Sequence, residues 1–437
     1  MIISRYSKYF LRKTGNMIVL VINHKRCYNL NKYTYEKSDA VLKIKSRTPL
    51  FFIILFVFNM AANFVHPVTP TIIVDLNLND YMFGLAMAAM MVMNFLFSPF
   101  WGKIAGYISS KTVMLICGIG YAVGQIFFGI AQTEIQFLLA RMFAGIFIGG
   151  SYVSFLTYTV NVSDEKNRGK NLAVNATVQA VSASFGYFVG GMIGEINVYA
   201  SVWLQVITLA GTSILHYLAL KDDRQMGLER LTPRMLAGSC NPFSAILQCR
   251  KFMTKLIALI FLVYGLSNLG YIAFEQCFNF YLRDQFGLSS GYNGVIKAAL
   301  GVISLIANST LCLWIMKKKN ASAYMTGVMG VCTLSMIGVI FASQMIPFII
   351  INVVFFAFYF VSLPLIQNKT ASLGKGENSN LVMGAFNSVK SFGSIFGSAL
   401  AGFIYELGAK LPFVFGFIAF FLSAACMYLF NKNEHAH

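Results

Sequence analysis

Residues Met345–Ile366 read MIPFIIINVVFFAFYFVSLPLI, a run of 22 positions without a charged side chain. A helix of roughly 20 such residues crosses a bilayer hydrocarbon core about 30 Å thick. Reading outward from this run finds eleven more of the same kind. The twelve predicted spans are 49–66, 82–101, 112–131, 135–158, 171–194, 199–220, 254–282, 291–316, 322–343, 345–366, 381–405 and 411–431. The composition agrees: of 437 residues, 57% are hydrophobic and only 11% charged, against about 25% charged in a soluble domain. With 41 Phe and 21 Met, a soluble fold of this size would be covered in apolar surface. The expected fold class is therefore an all-α polytopic membrane protein, and an ordinary cytosolic enzyme is excluded. The first run starts too far from the N-terminus, and too many runs follow it, for a cleaved signal peptide.

The net charge of +18, from 34 Lys and Arg against 16 Asp and Glu, fits nucleic acid, a membrane surface or topology signals. Position decides among them. The tail 1–47 holds 11 of the 34, and the loops on the same side, with Lys432, bring that side to 29. The opposite side holds only Arg283 and Lys410, and Arg141, Lys297 and Lys390 fall inside spans. Such a bias places both termini in the cytoplasm by the positive-inside rule, and no nucleic-acid partner is expected. The tail's own net charge of +9 reads either as adhesion to anionic lipid or as a disordered orientation tail. None of the eight Cys lies in an outer loop, so no structural disulfide is expected. The five His are scattered, and no cofactor or metal site is expected.

A polar segment, 221–253, carries Pro233, Pro242 and most of the central basic residues, and splits the spans six and six. This gives a domain reading of a basic tail 1–47, a first half 48–220, a cytoplasmic linker 221–253, a second half 254–431 and a short tail 432–437. The halves echo one another. Asn175, Ser182 and Gly190 of the fifth span recur 212 positions later as Asn387, Ser394 and Gly402, and Gly84 recurs as Gly294. Weak internal repeats of this kind mark transporters whose halves rock about a midplane site.

The motifs add a family. Between the second and third spans runs Gly102-Lys-Ile-Ala-Gly-Tyr-Ile-Ser-Ser-Lys111. It resembles the signature loop of the major facilitator superfamily, with Gly102 and Lys111 matching, Gly106 at the usual Asp position and Ser109 at the usual second Gly. The fourth span's Arg141-Met-Phe-Ala-Gly145 is similar to that family's Arg-x-x-x-Gly element. The fifth span's Gly186-Tyr-Phe-Val-Gly190-Gly191 is similar to the glycine motif of its twelve-span drug–proton antiporters, except that Tyr187 replaces a Pro. Gly384 to Gly393 also looks like the family's eleventh helix. The resemblance covers roughly 49–431 and implies two six-helix, pseudo-symmetric halves and a functional monomer; no enzyme is expected, since no paired carboxylates, His cluster or nucleophile constellation supports one. It also implies that Arg141 faces the first span and takes part in coupling. Loss of the loop Asp removes a charged cap for a helix N-terminus.

Charges at membrane depth are costly and functional by default. Glu275 is the one acid embedded in a predicted span, about 10 Å below the outer edge at 1.5 Å per residue. Lys297 lies about 9 Å deep by the same rise, so the two meet as an ion pair if their helix faces agree. That pair reads as a proton switch, as a static link between helices, or as a Glu at the headgroup boundary. Lys390, about 13 Å from the cytoplasmic edge, is too deep to snorkel and is expected to face a cavity. Asn175, Gln179 and Asn387 either line that cavity or join helices. Pro67 and Pro70 break the first span near the outer face, as part of an outer gate or as a plain helix exit.

The leading functional expectation is a plasma-membrane secondary transporter working by alternating access, exporting small amphipathic compounds against protons. Three embedded cations against one embedded acid leave an alternative, transport of a small anionic metabolite.

Overall fold

The computed structural model describes residues 48–163, 165–223, 253–373 and 379–434. The basic tail 1–47 and most of the central linker lie outside the described residues. From Phe51 onward the described chain forms one compact unit. It is helical, with no strand among the described residues. The twelve spans are Thr48–Ala62 (continued by Thr69–Asp75), Met82–Ile108, Ser110–Ile130, Glu134–Asn161, Glu165–Ile196, Val198–Ala219, Lys255–Asp284, Ser290–Ala307 (continued by Asn308–Cys312 and Leu313–Met316), Ala321–Phe341, Met345–Leu373, Ser379–Leu407 and Leu411–Glu434. Short polar residues start several of them. Thr133, Asn197, Thr254 and Asn320 each accept a backbone N–H of the first turn, satisfying donors that a helix start leaves free.

Ten of these helices are individually long and apolar enough to cross a membrane. The first falls short because it stops at Ala62. The eleventh is 29 residues long but carries Asn387, Lys390 and five serines. The core is largely apolar, but polar side chains are buried within it and large apolar ones lie on the surface. Asn59, Gln125, Asn175, Gln205 and Asn352 are buried, whereas Ile196, Phe341 and Leu407 are more than three-quarters exposed. An apolar outer surface is what hydrocarbon solvent demands.

Two readings from sequence are corrected. The stretch after Gly102 is not a loop: the second helix continues to Ile108, and the turn is made at Ser109. Apolar length marks where a helix leaves the bilayer, not where it ends. The first span is neither one helix to residue 66 nor a plain exit, since a short helix resumes at Thr69.

The described helix ends fall on two faces, one carrying Lys103, Lys111, Lys221, Lys255, Lys317 and Lys369, and an opposite one. Across the opposite face the two halves meet at two related crossings, each built on glycine. A Cβ on Gly84 of the second span would lie 2.2 Å from Ser398 O and 2.7 Å from Gly402 N of the eleventh. A Cβ on Gly191 of the fifth would lie 2.5 Å from Ser290 O and 3.0 Å from Gly294 Cα of the eighth. The echo of Gly84 in Gly294 thus reflects two copies of one contact. Phe83 stacks on Phe280 at 4.7 Å beside the first crossing, and Glu195 accepts the Gly291 N–H at 2.6 Å beside the second.

Carboxylates also face one another at this closed end. Asp80, before the second span, is raised above the usual carboxylate value by burial and by the charges of Asp284 and Glu406 on the seventh and eleventh spans. Asp284 accepts from Tyr405 and Gln285, and Glu134 from Asn79 and Tyr81. Lys410 is occupied by the carbonyls of Ile340 and Ala342. Closure therefore binds a proton on Asp80 more tightly than separation does. It is favoured as pH falls and weakened as pH rises through the raised value.

Ser290 is buried at the second crossing, so a Ser290→Cys thiol reports closure. Gly191→Leu forces an overlap of about 1–3 kcal/mol on the closed arrangement and is expected to speed labelling by an impermeant maleimide about tenfold. After correction for thiolate fraction, labelling of the Gly191 protein is expected to rise with pH, and Asp80→Asn to flatten that rise. Unchanged rates in both variants would remove the crossing from the account of closure.

Candidate functional site

Below the closed end lies a cavity of about 440 Å³ between the fifth, seventh, eighth and tenth spans. Its lining reaches Ala176, Asn308 and Gln367 towards the basic face. Glu275 and Lys297 sit in it, with Lys297 Nζ 2.9 Å from Glu275 Oε1. Lys297 is 7% exposed and Glu275 23%, so the carboxylate keeps a side towards the cavity. The ammonium also lies 5.4, 5.6 and 5.1 Å from the ring centroids of Tyr187, Phe278 and Phe356, within the range where a ring face attracts a cation. Tyr271 and Phe360 complete an aromatic wall.

Arg141 is elsewhere. It is buried, donates to Thr69 Oγ1 at 3.3 Å and stacks 3.9 Å from the Phe128 ring. It lines a hollow of about 30 Å³ with His66, Thr69, Tyr187 and Asn279. The three residues expected to couple protons therefore form a pair and a separate cation. Tyr187 lines both hollows and stacks on His66 at 5.6 Å. Among the described residues, neither Arg141 nor Lys390 forms an ion pair with a carboxylate. A third cavity of about 230 Å³ adjoins His66 and is walled by Met87, Met90, Met91, Tyr121 and Tyr152.

The eleventh span turns one stripe, Phe396, Leu400, Phe403 and Leu407, outward. At 100° per residue Asn387 falls within about 20° of Ser398, which faces the second span, and Lys390 about 120° from the Phe396 stripe. Both are exposed, on the side of the helix away from the outward stripe. Lys390 O also accepts from Asn268 Nδ2, which reaches Ser394 as well. Asn175 differs: it is buried and donates to Thr159 Oγ1 at 2.8 Å, and Gln179 donates to Asn175 Oδ1. Asn175 thus joins the fourth and fifth spans, and Gln179 braces it from the next turn of its own helix.

The break in the first span is held from three sides. The Ala62 carbonyl, freed there, accepts from Gln205 Nε2 at 3.0 Å and Tyr121 OH at 3.4 Å. Pro67 and Pro70 are buried, and Pro70 sits in the first turn of the resumed helix, where its missing N–H costs nothing. Gly186 and Gly190 pack on Met60 O and Phe64 O. The fifth-span glycine motif thus seats the broken first span with Gly186 and Gly190, and closes on the other half with Gly191. Gly145 lets the fourth span approach Met90 O of the second.

At the basic face, Gly102 meets Val153, and Gly106 has open space around it. Ser109, in the position of the usual second Gly, has φ 78°, a left-handed conformation that disfavours a side chain. The missing cap is supplied from a distance. Asp223, after the sixth span, accepts Ser110 N–H at 2.7 Å, Ser110 Oγ at 2.6 Å and Asn161 Nδ2 at 2.9 Å. Lys111 reaches Leu220 O at 3.4 Å. Sequence reasoning missed Asp223, because its partners are 62 and 113 positions away, and noted Tyr187 only as a departure from a motif. Replacing Asp223 with Ala is expected to cost about 1–3 kcal/mol, read as a lower melting temperature of the purified protein, with Asp223→Asn in between.

Residues 51–375 match the model of the Major Facilitator Superfamily. The quinolone resistance protein NorA of Staphylococcus aureus (strain COL) is 21% identical over 391 residues, 89% of this chain and 96% of that protein. Multidrug resistance protein 1 of Bacillus subtilis (strain 168) is 19% identical, over 87% and 95%. Among solved structures, a bacterial homolog of the human lysosomal transporter Spinster, inward-facing and unoccupied, superposes with a TM-score of 0.71 at 12% identity, over 89% of this chain and 97% of that one. The human organic anion transporter MFSD10 superposes with a TM-score of 0.64 at 18% identity, over 88% and 99%.

Proposed function

Because the chain belongs to the Major Facilitator Superfamily, and is therefore a membrane transporter rather than an enzyme, we propose that it is a proton-coupled exporter of small amphipathic compounds. The observation that carries this reading is the Glu275–Lys297 pair, 2.9 Å apart in an aromatic-walled cavity. With Glu275 ionised, Lys297 neutralises it. A proton on Glu275 removes the attraction and leaves the Lys297 charge facing three rings; loss of that proton restores the pair. A cationic substrate competes with Lys297 for the same carboxylate and the same rings, so substrate and proton exclude one another, as antiport requires. The methionines beside His66 give a wall that repacks around varied apolar shapes. The names of the NorA and Bacillus relatives, which refer to quinolone and multidrug resistance, support the same class.

By the positive-inside rule the basic face is cytoplasmic. The closed end is then the outer one and the cavity belongs to an inward-facing state of a plasma-membrane protein acting as a monomer. A second reading rests on Arg141 and Lys390, two embedded cations without a carboxylate partner among the described residues. They suit a small organic anion, the class named for MFSD10.

The test is Glu275→Gln in vesicles, with a lipophilic cation and with a small organic anion, with and without an imposed pH gradient. Gradient-driven export of the cation is expected to fall about tenfold or more, a loss of at least 1.4 kcal/mol of driving interaction. Full gradient-driven transport in the variant would remove Glu275 from coupling, and transport of the anion alone would select the second reading.

A further inference from the structure

The fifth and eighth spans also meet on the side that faces hydrocarbon. A groove of about 390 Å³ lies there between Val181, Phe185 and Phe188 of one helix and Val295, Ala299 and Val302 of the other. Phe185 is 51% and Val302 56% exposed, so the groove lies on the outer surface of the bundle. It shares four lining residues with the charged cavity: Val181, Ser184, Gly301 and Leu305. The partition between them is thin. A Cβ on Gly301 would lie 1.9 Å from Ser184 Oγ, so a serine side chain against a bare glycine is all that separates groove from cavity at that level. The Ser184 hydroxyl is turned to its own helix, at Ala180 O.

A second surface hollow lacks this continuity. That hollow, between Phe127, Ile130, Leu139 and Phe143 and of about 450 Å³, shares no lining residue with the charged cavity. A chain lying there is boundary lipid. A chain lying between the fifth and eighth spans is adjacent to the Glu275–Lys297 pair.

We propose that this groove binds the single alkyl chain of an amphipathic substrate whose charged head occupies the Glu275–Lys297 cavity, with Ser184 and Gly301 as the sill between them. The proposal rests on the reading of the protein as an exporter of amphipathic compounds and adds where the apolar part goes. The chain keeps hydrocarbon surroundings throughout, while only the head enters the polar cavity, so neither part is transferred into an unfavourable medium.

Ala299 lines the groove and not the cavity. The full chain carrying Ala299→Cys is purified, modified with an alkyl methanethiosulfonate that fills the groove, and reconstituted; unsubstituted protein treated in the same way sets the baseline for the native thiols. Transport is followed for two pyridinium dyes with one head and either a butyl or a dodecyl chain. Dodecyl-dye transport is expected to fall about tenfold and butyl-dye transport to stay within about twofold. Equal loss of both, or loss of neither, overturns the proposal. A second readout needs no transport. Bimane attached to the Ala299→Cys protein is expected to be quenched saturably by a dodecylpyridinium bearing a terminal nitroxide, and bimane on a Leu139→Cys control only in proportion to dye added. Proportional quenching in both variants also overturns it. If neither dye crosses the membrane but quenching in the Ala299→Cys protein saturates, the exporter reading fails and the groove stands.

Discussion

The structure depends on how closely two pairs of helices approach one another. Between membrane helices no hydrophobic force operates, and association relies on packing at small residues and on polar contacts. Gly84 against Gly402, and Gly191 against Gly294, bring the second span to the eleventh and the fifth to the eighth with backbone nearly touching backbone. Everything placed between the halves follows. The opposite face is shut, Asp80 is pushed towards Asp284 and Glu406, and the space that remains lies on the side of the basic face. Glu275 and Lys297 are in that space because their helices flank the second crossing.

A second constraint acts on the interior. Hydrocarbon gives no partner to a free backbone group, so the break after Ala62 is possible only because Gln205 and Tyr121 reach the freed carbonyl. The broken segment then presents Thr69 to Arg141 and His66 to Tyr187. Tyr187 joins this assembly to the carboxylate cavity, since its ring also faces Lys297 and its carbonyl packs on Gly294. In place of a bend-promoting proline, the fifth span carries a side chain that lies between the two charged hollows.

What was legible in the sequence is what the bilayer imposes locally. The spans follow from apolar length, the two faces from the placement of Lys and Arg, and the Glu275–Lys297 pair from equal depth on adjacent helices. Local rules fail where distant residues decide. The second helix runs past Gly102 because Ile104, Ala105 and Ile108 pack into a cluster around Trp101 and Val113. The cap lost at Gly106 is replaced by Asp223, more than a hundred positions on, for which no spacing rule exists. Asn175 and Asn387 occupy equivalent places in the internal repeat. Yet one is buried against Thr159 and the other is exposed on the side of its helix away from the outward stripe. The aromatic wall was hidden by abundance: with 41 Phe and 21 Tyr, only the fold shows which rings face Lys297.

The central claim is that the halves are two bodies that exchange closure at one face for closure at the other, with the glycine crossings as one end of that exchange. Its most direct measurement is a pair of electron–electron distances in reconstituted protein. One spin-label pair sits at Ile135 and Phe341 on the opposite face, and one at Thr157 and Trp314 towards the basic face, followed from acid to alkaline pH. The account predicts that the first distance lengthens while the second shortens, within one population shift. Distances that lengthen together, or that do not respond at all, would contradict it.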